Sequence, residues 1–150
     1  MGITISETKA AHLDSNSDEI ILLPVSFRKE DNYQYQSTSL SFYKYVRQRI
    51  KVSFFTEPKI LREQRSIEWV GPGILITSSL VSHNPEIISI TCGVISSYLA
   101  DFFKGQEKPE VSIKILYKET ETEKITEIEY KGCSNNLSQL RDAILEVVKK

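Results

Sequence analysis

From Ile74 to Phe103 the chain carries only two formally charged residues, Glu86 and Asp101. Apolar side chains in such density leave water when a chain folds, so any fold must be built around this stretch. Asn84-Pro85 divides it. Asparagine is a favoured N-cap, and a proline at the first helical position lacks only an N–H that has no intrahelical partner. Beyond that pair, Ile87, Ile88, Val94, Ile95, Tyr98, Leu99, Phe102 and Phe103 form a broad apolar stripe, closed by Lys104 and Gly105. The spacing predicts a long helix. Gly93, Ser96 and Ser97 are small enough for another backbone, including that of a second copy, to approach it closely.

Three roles fit such a segment: a central core helix, a core helix with one face left for a partner, or a membrane-inserting element. Neither 74–82 nor 87–100 reaches the roughly 20 residues of a membrane span. Glu86 and Asn84 at the midpoint would also be costly in a bilayer. Membrane action is therefore the disfavoured alternative, as a small effector built on 74–103.

The flanking sequence supplies shorter elements. Met1–Glu19 has no basic end followed by an apolar core, so it does not read as a signal peptide. It reads as a disordered polar tail, ahead of a single domain over 20–150. Met1-Gly2-Ile3-Thr4-Ile5-Ser6 also fits the short N-myristoylation pattern. Ile20–Phe27 is a short apolar run fit for a buried strand, which Pro24 would place at an edge or bulge. After the hydroxyls of Ser37-Thr38-Ser39, the residues Leu40, Tyr43, Val46 and Ile50 recur at helical spacing. Strands are predicted over Lys51–Glu57 and Ser66–Val70, the second broken by Gly71-Pro72-Gly73. Val111, Ile113, Ile115 and Tyr117 alternate, a charged turn follows at Glu119–Glu123, and Ile128 and Tyr130 mark the returning strand of a hairpin. Ser134-Asn135-Asn136 caps a last helix whose face is Leu137, Leu140, Ile144, Val147 and Val148. The predicted fold is α+β, a mostly antiparallel sheet of 4–5 strands with about three helices packed on it.

That layout, with Val70-Gly71-Pro72-Gly73 and an apolar helix closing on Tyr98-Leu99-Ala100-Asp101-Phe102-Phe103, resembles the effector-associated constant component domains of bacterial conflict systems. The resemblance would span Ile20 to Val148. It implies a small adaptor module that accompanies effector domains and brings no catalytic residues of its own. The chain departs from the pattern at Asn84-Pro85, and at Tyr45-Val46-Arg47, where a tryptophan-led motif would be usual.

The inventory of reactive side chains is thin. His12 and His83 are the only histidines, and neither they nor Cys92 and Cys133 have metal-ligand spacing. Two distant cysteines make no disulfide framework, and with the absent leader they point to reduced thiols in the cytoplasm. Cys92, inside the apolar stripe, reads as an inert packed thiol. No serine sits in a Gly-x-Ser-x-Gly elbow. Pro72 removes a donor that a phosphate-cradling glycine loop would need. Glu119, Glu121, Glu123, Glu127 and Glu129 alternate along the hairpin and read as a solvated face. No cofactor and no metal are predicted, and no enzyme.

A net charge of −1 excludes a strong global field, but one segment departs from it. Lys44, Arg47, Arg49, Lys51, Lys59, Arg62 and Arg65 face only Glu57 and Glu63 over 44–65, with Tyr43, Tyr45, Phe54 and Phe55 interleaved. A phosphate-binding surface on Arg47, Lys51, Arg62 and Arg65 would make the chain a nucleic-acid or nucleotide binder. The helical spacing of Lys44, Arg47 and Lys51 opposite the apolar stripe instead reads as a solvated helix face, so nucleic acid is the less favoured partner. The leading expectation is a protein–protein interaction or regulatory module. Its contact surface is placed at Tyr98, Phe102 and Phe103 with Trp69 nearby, because aromatic residues dominate interface hot spots.

Overall fold

The structure, a computed structural model, describes residues 2–9, 19–24, 35–36, 38–55, 61–62, 69–102, 104, 110–119, 124–133 and 137–149. Ile20–Leu23, four apolar residues in succession, forms strand β2, buried on both faces as such a run requires. The strand before it is β1 (Gly2–Lys9), and those after it are β3 (Tyr35–Gln36), β4 (Val52–Phe54), β5 (Leu61–Arg62), β6 (Trp69–Thr77), β7 (Glu110–Lys118) and β8 (Lys124–Cys133). The helices are α1 (Thr38–Val46), α2 (Ser78–His83), α3 (Ile87–Phe102) and α4 (Leu137–Lys149).

The α+β class is as the sequence predicts, but the sheet is larger and mixed. Six strands run in the order β1-β8-β7-β6-β2-β4, and β3 pairs with β5 in a separate two-stranded sheet. The pairs β1–β8, β8–β7 and β6–β2 are antiparallel, whereas β6–β7 and β2–β4 are parallel. Each parallel pair is joined through helix, α1 between β2 and β4 and α2–α3 between β6 and β7. A parallel neighbour needs a crossover of that kind, and the order of local elements does not reveal which strand lies beside which.

Three further corrections concern polar or proline-bearing sequence. Gly2–Lys9 is no tail: it pairs residue for residue with β8, from Gly2 opposite Lys131 to Lys9 opposite Lys124. The rest of the predicted tail up to Asp18 lies outside the described residues. Gly71-Pro72-Gly73 does not break β6 either. The register with β7 shifts between Val70 and Gly73, so the strand absorbs an extra residue as a bulge, where a missing proline N–H is tolerated. Gly73 lies opposite Leu23, and a Cβ there would stand 3.3 Å from that residue's Cβ, so the two strands close up on a glycine. Pro24 follows the last residue of β2, an interior strand, rather than marking an edge.

Strand alternation divides the apolar residues between the two faces of the sheet. Ile20, Leu22, Ile74, Ile76, Val111, Ile113, Ile115, Ile128 and Tyr130 join the large core beneath α1, α3 and α4. Ile21, Leu23, Leu75, Leu116 and Ile125 form a smaller cluster with Phe55. Leu99 is fully buried, a change from solvent that stabilises by about 1.5–3 kcal/mol. In α1 the buried positions are Ser39, Phe42 and Val46, so the inward face is turned from the predicted Leu40–Tyr43 line. In α4, Leu137, Leu140 and Ile144 are buried as the period predicts.

The uncharged segment is divided three ways. Ile74–Thr77 completes β6, and Thr77 then caps α2 by accepting the Leu80 N–H at 3.2 Å. Asn84 ends α2, donating its N–H to the Leu80 carbonyl, and its own carbonyl accepts from Ile87. It is therefore the hinge between the two helices rather than the N-cap of one long one. No helix among the described residues is long and apolar enough to cross a membrane.

Candidate functional site: the groove between α1 and α3

Helix α3 buries Ile87, Ile88, Thr91, Cys92, Val94, Ile95, Tyr98 and Leu99. Its last turn leaves the core, and Phe102 is 40% exposed. Beside that turn, α1 contributes Ser41, Lys44 and Tyr45 and the turn after it Gln48, and the space between is an open groove of about 360 Å³. Tyr98, Asp101 and Phe102 complete the lining.

Aromatic contacts hold the groove in shape. The Tyr98 ring meets Phe42 edge-on at 5.1 Å and Tyr45 at 5.5 Å, and stacks on Phe102 at 5.9 Å. Such pairs contribute about 0.5–1.5 kcal/mol each beyond their burial. The Tyr98 hydroxyl donates to Ser41 Oγ at 3.3 Å, fixing the ring from the polar end. Tyr98 thus serves as the buried floor, at 4% exposure, while Phe102 is the exposed end of the same stack.

Cations gather at the end of α1, some of them at the groove. Lys44 lines it, and the Arg49 guanidinium lies over the Tyr45 ring at 4.0 Å while donating to the Tyr45 carbonyl at 3.1 Å. Arg47 lies over Tyr43, 5.7 Å from its centroid, and Tyr43 in turn packs on Phe54. Basic groups here also suit the negative end of the α1 dipole. Lys44, Arg47, Arg49 and Lys51 are all exposed.

The sequence-predicted residues are therefore distributed unevenly. Tyr98 and Phe102 meet at the groove, whereas Arg47 and Lys51 follow α1 and do not line it. Trp69 opens β6 with its backbone opposite Val111, and Arg62 belongs to β5, but the side chains of both lie outside the described residues. Phe103 and Arg65 lie outside them altogether. Tyr45, Lys44, Ser41 and Asp101 complete the site; of these the sequence pattern had marked only the two α1 aromatic and basic positions, and only as part of a charged face.

The other reactive groups are structurally engaged. Burial in α3 pushes the Cys92 thiol up to about 11, against a smaller opposing influence of Arg141. A thiol held protonated is a poor nucleophile. The His83 ring Nδ1 lies 2.8 Å from the Ser79 carbonyl, so it donates there at the end of α2. Glu129 bridges Lys131 at 3.2 Å and Lys114 at 3.7 Å, and Glu127 accepts from Ser6. No group of His, Cys, Asp and Glu side chains among the described residues has the arrangement to hold a metal ion. Gly93 is exposed with nothing near its Cβ position, so no backbone among the described residues approaches α3 there.

Comparison of the chain with family models, curated proteins and solved structures gives no match.

Proposed function

We propose that this chain is a non-enzymatic interaction or regulatory module that works by protein–protein contact through the α1–α3 groove. One observation carries the reading: a stack of aromatic rings runs from the core, through Phe42 and Tyr98, to a Phe102 left exposed on the groove's rim. A large apolar ring on a rigid base, beside polar groups, is the composition of an interface hot spot. The groove is open rather than enclosed, which suits a protein segment better than a small substrate that must be shielded from water. An adaptor role in a bacterial defence or stress system, in the cytoplasm and without a cofactor, is the form of this proposal that the layout resemblance favours.

The test is affinity purification from the native host with the wild-type chain and with Phe102→Ser. The wild-type protein retains a stoichiometric partner, or a second copy of itself, and the variant loses it while still folded by circular dichroism. Equal retention by both proteins overturns the groove as the contact surface.

A further inference from the structure

Resting on that reading, we infer that the partner presents an acidic segment carrying one large apolar side chain, which seats against Phe102 while its carboxylates meet Lys44 and Arg49. Charge is the first ground. The chain as a whole has a net charge of −1, yet the exposed charges on α1 and the turn after it are Lys44, Arg47, Arg49 and Lys51. None of the four forms an ion pair with a carboxylate among the described residues. Asp101 is the acidic side chain lining the groove.

Preorganisation is the second. Stacking on Tyr45 holds the Arg49 guanidinium flat against the surface beside the groove. Arg49 spends one donor on the Tyr45 carbonyl. The remaining N–H edges stay available for carboxylates, and the rotamer cost of ordering them is already met within the folded chain.

The same stacking argues against single-stranded nucleic acid. Bases need free aromatic faces, and here guanidiniums cover Tyr43 and Tyr45 while Tyr98 is buried. Phe102 is the exposed ring of the groove, enough for one apolar anchor and too little for a run of bases. A volume of about 360 Å³ matches one large side chain with its flanking backbone.

The probes are fluorescein-labelled peptides of alternating Glu and Gly around a central Phe, a twin with Gln for every Glu, a twin with Ser for Phe, and an oligothymidylate of equal charge. The acidic Phe peptide binds about tenfold more tightly than either twin and than the oligonucleotide, and its affinity falls with added salt. Lys44→Glu combined with Arg49→Glu lowers that affinity about tenfold or more, with the fold retained by circular dichroism. Equal binding of the Gln twin, equal binding of the Ser twin, failure of every peptide to bind, or equal binding of the oligonucleotide each overturns the inference, the last by making the strip a general polyanion site. The broader reading is judged separately: a host partner lost by Phe102→Ser but retained by the charge-reversed variant leaves the interaction module standing and removes the acidic segment alone.

Discussion

The two flanks of α3 are built differently. Toward α4 the helix presents Ser89, Cys92, Gly93 and Ser96 to Leu137, Ser138 and Arg141 across a shallow depression of about 170 Å³. Toward α1 it presents Tyr98, Asp101 and Phe102 to Ser41, Lys44, Tyr45 and Gln48. The first flank is small-residue and aliphatic, with α4 sealing the core through Leu137, Leu140 and Ile144. The second is aromatic and cationic, and its ring stack continues past the core into solvent. One helix therefore closes the domain on one side and offers a rigid, half-wetted surface on the other. Rigidity and exposure are separable properties, and only the α1 flank combines them.

The sharpest way to break this contrast is to remove the ring that both core and groove share. Tyr98→Ala should destabilise by about 4 kcal/mol, the cost of deleting a large buried aromatic, whereas Tyr98→Phe should cost only about 1 kcal/mol through the lost Ser41 hydrogen bond. Urea titrations of both variants measure the difference; a small loss for Tyr98→Ala would mean that the floor is not core at all.

The α4 flank should show its burial through pH. The Cys92 thiol titrates at about 11 in the fold against 9.0 ordinarily, so folding favours its protonated form. That contribution is intact below pH 9 and is lost as the pH rises toward 11. Wild-type stability should fall by about 2 kcal/mol more than that of Cys92→Ala over this window. Parallel curves would place the thiol in contact with water.

Thr91, also on α3, is buried with its hydroxyl lacking a hydrogen-bond partner among the described residues. Its neighbours around a small apolar void include Ile20, Phe42 and Val94. Thr91→Val should raise stability by about 1 kcal/mol, since an unmade buried hydrogen bond is costly. A loss would reveal a bonded hydroxyl.

On the α4 flank again, Gly93→Ala should stabilise by about 0.5–1 kcal/mol, because the added methyl meets open space and the helix loses a glycine's entropy cost. Destabilisation, or a change in oligomeric state by light scattering, would show that something packs against this glycine in solution. The smallest loss on folding belongs to the α1 flank: Phe102→Ala should cost only about 0.5–1 kcal/mol, the worth of its stack on Tyr98. A larger shift would make Phe102 a core residue and end the distinction between the flanks.

Much of this was legible because it depends on local period. The last helix announces itself in Leu137, Leu140 and Ile144, and the β7–β8 hairpin in the alternation of Val111, Ile113 and Ile115, since a helix or hairpin buries its own face at a fixed repeat. Strand β1 was not legible: Thr4 and Ser6 dilute Ile3 and Ile5, and what holds them is β8, at the far end of the chain. Gly71-Pro72-Gly73 was misread for a related reason. Its punctuation is that of a turn, but β2 and β7 flank it on both sides, and their hydrogen bonds carry the strand across the bulge.

By itself, then, the sequence determined the class of fold, the identity of the apolar segment around which it forms, and the scarcity of groups with reactive spacing. It placed Tyr98 and Phe102 together because four positions along a helix share a face. Tertiary structure alone decided that Ile74–Thr77 is strand rather than helix, and that Tyr98 is floor while Phe102 is rim. It also decided that Tyr45 and Lys44 of a different helix stand across from them. The physical reason is the same in each case: a period specifies which residues turn inward from an element, but how far that element reaches past its neighbours depends on how those neighbours pack, and exposure begins where the packing stops.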